Sequence, residues 1–176
     1  VNVEHEEVVL IPQKVDAKTV KFKYGLGSEF ISTLKTIHML GMDRKESIHV
    51  QGVDVSPRDI LAASLPDPAT LGKRMRGKTC AGTLVKGLDK AGKPKAVYIY
   101  NVVDNSWSMD NYGDQAVVWQ TAINPVIAME LIHNGTWQPE GVNGPEWFAP
   151  KPFLDLVAEY GTSWHIREED TKGIIA

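Results

Sequence analysis

The chain has 176 residues, of which 43% are hydrophobic and 23% charged, with a formal net charge of −3. This composition excludes a disordered chain, and without a basic excess nothing invites nucleic acid or an anionic membrane. Cys80 is alone, which excludes an intramolecular disulfide and a cysteine-rich metal site and fits a reducing cytoplasmic setting. No apolar run reaches the ~18 residues of a membrane span, and the stretch from Val1 to Glu7 lacks the pattern of a signal peptide. The length is that of one domain, 1–176.

In chain order, Glu7–Ile11 reads as a short strand stopped by Pro12. Thr19–Tyr24 alternates Val20, Phe22 and Tyr24 with lysines, the period of a half-buried strand. Gly25-Leu26-Gly27 ends it. Residues 28–40 read as a helix, with Ser28 as cap, Phe30, Ile31, Leu34, Ile37 and Leu40 on one side, and Gly41 as the stop. Ile48–Val50 and Val53–Val55 flank Gln51-Gly52 as a tight hairpin. Ser56 caps a short helix with Pro57 in its first position, running to Leu65. Residues 78–87 and 95–103 form a long hairpin across a polar turn. Gln115–His133 reads as a helix buried on several sides, and Pro125 within it predicts a split or a kink, with Asn124 as a possible new cap. Pro152–Tyr160 forms another helix ended by Gly161, and Trp164–Arg167 a last strand. Residues 167–176 read as a loose tail. The expected class is α+β, with a mixed, largely antiparallel sheet and helices on one face.

Few residues declare chemistry on their own. Gly25-Leu26-Gly27 has the placement of a dinucleotide turn, but Phe30 stands where the third glycine belongs, so this chain alone is not expected to bind NAD. The five histidines show no metal-ligand spacing. Cys80 reads as a buried structural thiol. Asn101, Asp104, Asn105, Ser106 and Trp107 gather polar groups at a strand end, either a site or an Asx-rich turn. Gln120 and Thr121, beside Trp119, are polar within an apolar helix and need partners, whether backbone freed at Pro125, a neighbouring chain or a ligand. Lys23 could offer an ammonium to an anionic group.

Several segments carry a resemblance. Thr79-Cys80-Ala81-Gly82, Val97-Tyr98-Ile99-Tyr100-Asn101-Val102-Val103-Asp104, Trp119-Gln120-Thr121-Ala122-Ile123-Asn124-Pro125 and Gly135-Thr136-Trp137 stand in the order seen in saccharopine dehydrogenases. The chain resembles the second, α+β domain of that family, without the Rossmann domain that precedes it there. The resemblance implies hydride transfer between NAD or NADP and a carbon–nitrogen bond, with an amino-acid-derived amine or imine as substrate. It also implies a homodimer whose interface this domain forms. Lys23-Tyr24-Gly25 matches a turn whose Arg meets a substrate carboxylate, and Trp119-Gln120-Thr121 matches a helix start near the substrate. Lys for Arg at 23 and Ala122 for Gly are departures. They keep open an alternative, a non-catalytic association module that retains the fold. The implied substrate-binding residues are Lys23, Tyr24, Asn101, Asp104, Trp119, Gln120 and Thr121. No catalytic residue and no metal ligand is assigned.

Overall fold

The computed structural model describes residues 1–172. The chain divides into two compact units, Val1–Thr70 and Leu71–Ala176.

The first unit opens with helix α1 (Glu7–Leu10), which runs into a 3-10 turn over Ile11–Gln13. The expected strand here is therefore a helix. A short apolar run cannot distinguish the two by period. Pro12 lies in the first positions of the 3-10 turn, where its fixed φ suits a helical start, and Glu7 sits favourably in the first turn of α1. The expected strand at Thr19–Tyr24 reduces to an isolated bridge between Lys23 and Asn2, held by the Tyr24 N–H donating to the Val1 carbonyl at 2.9 Å. Alternation specifies a face, but a ladder also needs a partner strand, and only residues 1–3 lie alongside.

Helix α2 (Ser28–Met39) forms as the spacing predicts. Gly27 occupies the cap position, so Ser28 is its first helical residue rather than its cap. Its apolar side stays largely uncovered in this unit, with Phe30 and Leu34 about half exposed. Strands β1 (Ile48–Val50) and β2 (Val53–Val55) pair antiparallel. Gln51 and Gly52 both take positive φ, 50° and 85°, as the tightest hairpin turns require. Ser56 then caps α3 (Pro57–Ser64) by accepting from the Asp59 N–H, with Pro57 in the first turn.

The second unit holds the sheet. Strands β3 (Lys78–Leu88) and β4 (Pro94–Asp104) pair from Lys78 opposite Asp104 to Leu88 opposite Pro94. Gly82 is obligatory there: a Cβ would lie 2.4 Å from the Ile99 carbonyl oxygen. Strand β5 (Trp164–Glu168) joins β4 antiparallel, from Val97 opposite Glu168 to Asn101 opposite Trp164. Of the expected tail, residues 173–176 lie outside the described residues.

Between β4 and the long helix stands α4 (Asn105–Tyr112), where the sequence suggested a polar turn. Its cap is Asp104, whose Oδ1 accepts from the N–H groups of Ser106 at 2.8 Å and Trp107 at 3.2 Å. Helix α5 (Ala116–His133) runs unbroken through Pro125, so it does not split. Asn124 starts no new helix; its Nδ2 donates back to the Gln120 carbonyl at 3.0 Å. Nor is α5 buried on several sides. Ala116, Trp119, Ile123, Ile127 and Leu131 make one buried stripe, while Val117, Val118, Val126, Met129 and Ile132 stay 41–62% exposed. One neighbouring face can cover only one stripe of a helix.

That stripe joins Val103 of β4, Trp137 and Val157 of α6 (Pro150–Glu159) in the core. Within this unit α4 and α5 pack on β4 and α6 on β5, and the observed class is α+β. Trp164 Nε1 donates to the Leu154 carbonyl of α6 at 3.1 Å. Tyr98 and Tyr100, alternating with the residues that meet the helices, stack on the opposite face at 4.9 Å. Cys80 is on that side too. It is exposed, not buried as expected, because β3 is an edge strand with a single neighbour. Among the described residues no helix is long and apolar enough to cross a membrane.

Candidate functional site

The polar residues singled out at the end of β4 are brought together in the second unit. Gln120, half-buried on α5, donates through Nε2 to both the Asn101 Oδ1 (3.0 Å) and the Asn101 carbonyl (3.2 Å). Asn101 Nδ2 in turn donates to the carbonyls of Thr162 (3.2 Å) and Ser163 (3.1 Å). One amide therefore fixes α5, β4 and the entry to β5 with respect to each other. Polar groups in an apolar helix need partners, and Gln120 finds its partner in the sheet, not in backbone freed at Pro125.

The other members divide. Asp104 spends a carboxylate oxygen on the α4 cap. Trp119 is 6% exposed, wedged edge-on against Trp107 at 5.2 Å and beside Tyr112 at 5.6 Å. Its Nε1 is buried with no hydrogen-bond partner. That burial leaves Trp119 little surface for a ligand. Thr121 is exposed, and its hydroxyl donates back to the Val117 carbonyl at 2.8 Å. Lys23 and Tyr24 belong to the first unit and are both exposed.

Sequence reasoning missed two features. One is Asn105, 4% exposed, whose Nδ2 donates to the carbonyls of Gly72 (2.9 Å) and Met75 (3.2 Å) while its Oδ1 accepts from the Ala116 N–H (3.1 Å). The run Asp104-Asn105-Ser106 with Gly113 eight residues beyond Asn105 carried the helix signal that would have placed it. The other is an apolar cavity of about 770 Å³ lined by Asn124, Pro125 and Ile132 of α5 and by Trp137, Phe148 and Phe153. Trp137 stacks on Phe148 at 4.7 Å and on Phe153 at 5.9 Å. These rings come from three segments, so no single motif announces them. The cavity wall on α5 begins at Asn124, three residues beyond Thr121.

Electrostatic perturbation is modest and local. Asp43 accepts a hydrogen bond from His38 at 2.7 Å and raises the imidazole above its ordinary value, while His38 lowers the Asp43 carboxyl. The Cys80 thiol, 3.6 Å from the Tyr98 hydroxyl, raises that phenol. The Tyr160 hydroxyl donates to Glu130 at 2.7 Å and is also raised. None of these forms an acid/base couple in the cavity. His5, Glu6 and Glu7 bring three ligand atoms close together at the surface, a common arrangement in exposed acidic segments.

Comparison with known proteins gives the family. The model of the saccharopine dehydrogenase C-terminal domain matches residues 1–162. The carboxynorspermidine synthase of Vibrio alginolyticus is 31% identical over 165 residues, covering 93% of this chain and 40% of that protein. The same enzyme of Vibrio cholerae is 30% identical over 168 residues, 95% of this chain and 40% of that protein. The carboxyaminopropylagmatine dehydrogenase of Synechocystis is 31% identical over 162 residues, 92% of this chain and 40% of that protein. The chain thus spans about 40% of the length of these relatives. With a family model matched over residues 1–162 and an α+β architecture that agrees with it, the chain belongs to the saccharopine dehydrogenase C-terminal domain family.

Proposed function

We propose that this chain is the substrate-handling and self-association part of an NAD(P)-dependent oxidoreductase acting on a carbon–nitrogen bond. The observation that carries the reading is the family match across residues 1–162, together with relatives whose names are those of a synthase and a dehydrogenase. Those names denote carboxylated polyamine and agmatine compounds. The substrate class proposed here is accordingly a secondary amine joining a polyamine-like chain to a carboxylate-bearing carbon, or the imine that precedes it, rather than a lysine derivative.

The residues of this chain would bind and orient. In the first unit, Lys23 is proposed to offer a carboxylate a point charge, where an Arg would offer a bidentate fork. In the second unit, taken by itself, Thr121 would stand beside Asn124 of the cavity wall, and the stacked rings of the cavity would exclude water from an aliphatic stem. Asn101 and Gln120 act as positioning residues that hold α5 in place. The residues ahead of α2 do not fit a dinucleotide: a single bridge replaces the strand, and Phe30 replaces the third glycine. The nicotinamide cofactor is proposed to be gripped by a Rossmann domain that this chain does not include, and no step of the chemistry is assigned to residues here. The proposed setting is the cytoplasm. Self-association is proposed through β3, an edge strand of 11 residues with Leu84, Val85 and Leu88 at least 49% exposed, paired across a two-fold axis.

The test is turnover by the full-length protein, supplied with a diamine or agmatine, a carboxylate-bearing aldehyde and NADPH or NADH. Expected is amine-dependent oxidation of the cofactor. No oxidation with any such pair overturns the reading. Lys23 and Ala122, the two departures from the family pattern, favour the second reading of a non-catalytic association module. That reading predicts dimers by sedimentation and no turnover.

A further inference from the structure

Four cations fall within six residues of the second unit: Lys73, Arg74, Arg76 and Lys78. The chain as a whole is acidic, with a net charge of −3, so this is a local concentration and not general basicity. All four are exposed. Among the described residues, the ion pairs that Lys and Arg make elsewhere involve Lys95, Lys151, Arg167 and Lys172, and none of the four joins one there. Asp104 stands opposite Lys78 in the strand register and offsets part of its charge, but its Oδ1 turns to the α4 cap.

A run of like charges is ordinarily a mobile, solvated face. Here the backbone beneath it is fixed from the interior. Buried Asn105 holds the Gly72 and Met75 carbonyls through Nδ2, and its own N–H donates to the Gly77 carbonyl at 3.0 Å. The N–H groups of Arg74 and Met75 both donate to the Leu71 carbonyl, at 2.9 and 3.0 Å. Arg76 folds back, its Nη1 donating to the carbonyls of Lys73 and Met75 at 2.8 Å each. Gly72 packs so closely on Met109 that a Cβ would lie 2.8 Å from its sulfur. Holding four cations on a fixed turn sums their repulsion instead of letting them spread, and a polyvalent anion relieves it.

We infer that the Lys73–Lys78 turn is a binding site for a polyvalent phosphate. Charge matching favours phosphate over a single carboxylate. Arg74 can offer a two-pronged donor to phosphate oxygens, and Lys73 and Lys78 add point charges along the same short segment. The phosphate could belong to a dinucleotide or to a free pyrophosphate compound, and the chemistry is shared.

The experiment is calorimetric titration of the full-length protein at low salt with inorganic pyrophosphate, NAD and NADP in separate arms. The expected result is saturable pyrophosphate binding that weakens at least tenfold in the triple variant Lys73→Gln, Arg74→Gln, Lys78→Gln. Asn105→Ala keeps every charge but frees the turn, and it should weaken binding as well. Weakened binding of NAD, of NADP or of both in the triple variant assigns the phosphate to the dinucleotide. Equal, unchanged dinucleotide binding beside lost pyrophosphate binding assigns it to a free compound. Absence of saturable binding, or a triple variant that binds pyrophosphate as tightly as the native protein, overturns the proposal. So does an Asn105→Ala protein with undiminished affinity, which would leave only diffuse charge. If Asn105→Ala does not melt cooperatively, the triple variant decides. Pyrophosphate binding is read without turnover, so this result is independent of whether the protein acts on a carbon–nitrogen bond.

Discussion

Asn101→Ala is expected to loosen the second unit without touching its apolar core. The substitution removes the Oδ1 that accepts from Gln120 and the Nδ2 that donates to the Thr162 and Ser163 carbonyls. Each such hydrogen bond contributes about 0.5–1.5 kcal/mol net. The three together span about 1.5–4.5 kcal/mol; the Gln120 and Thr162 bonds are only partly buried and the Ser163 bond is exposed, so the sum is set in the lower part of that span, about 2 kcal/mol. In a chain of this size that corresponds to a fall in Tm of about 4–8 °C. Thermal melts followed by circular dichroism and tryptophan fluorescence measure it. A double-mutant cycle with Gln120→Ala isolates the shared bond, and the coupling expected is about 1 kcal/mol. Strict additivity of the two single changes, with a Tm shift under about 1 °C, would show that this amide does not tie α5 to the sheet. Its positioning role would then fall as well. If the proposed function holds, the same variant of the full-length protein should alter KM for the proposed amine more than the binding of cofactor.

Other perturbations follow from single contacts. Pro125→Ala restores an N–H that can reach the Thr121 carbonyl within an unbroken α5, and a gain of about 1–3 kcal/mol in urea unfolding is expected from helix propensity; a loss would show that the proline ring is needed in the cavity wall. Ile127→Ala, at a fully buried core position, should cost about 2–5 kcal/mol, and near-neutrality in the same assay would contradict the core assignment. Lys23→Ala should raise KM of the full-length protein for the proposed carboxylate-bearing substrate by about 1–3 kcal/mol in binding terms, whereas an unchanged KM removes Lys23 from the proposed site. For His38, Asp43 favours the imidazolium, so the pair is intact below the ordinary histidine pKa and fades as pH rises through the raised value. Asp43→Asn should move the His38 midpoint down in an NMR titration, and an unmoved midpoint would show that the two side chains do not meet in solution.

Much of the architecture was legible because it rests on local rules. The stripe from Phe30 to Ile37, the Gln51-Gly52 turn, the Ser56-Pro57 start and the two long strands around Asp89–Lys93 are each set by periodicity or by a residue with a restricted backbone. Asn101 and Gln120 both stand in the ordered family segments, and the structure joins them by hydrogen bonds. What failed were short or ambiguous stretches. Glu7–Leu10 has too few residues to show a period, and Thr19–Tyr24 alternates correctly but lacks a partner ladder. Asp104–Trp107 holds polar residues that serve a helix cap and a turn equally well.

Only the tertiary structure decided which polar groups find each other. The sequence by itself determined the α+β class, most of the elements and the family, since these depend on patterns within about one helix or hairpin length. It could not show that Gln120 closes on Asn101, that Asn105 reaches back to Gly72 and Met75, or that Trp137, Phe148 and Phe153 stack around one cavity. Those contacts join residues tens of positions apart, and burial of a particular face is a property of what packs against it.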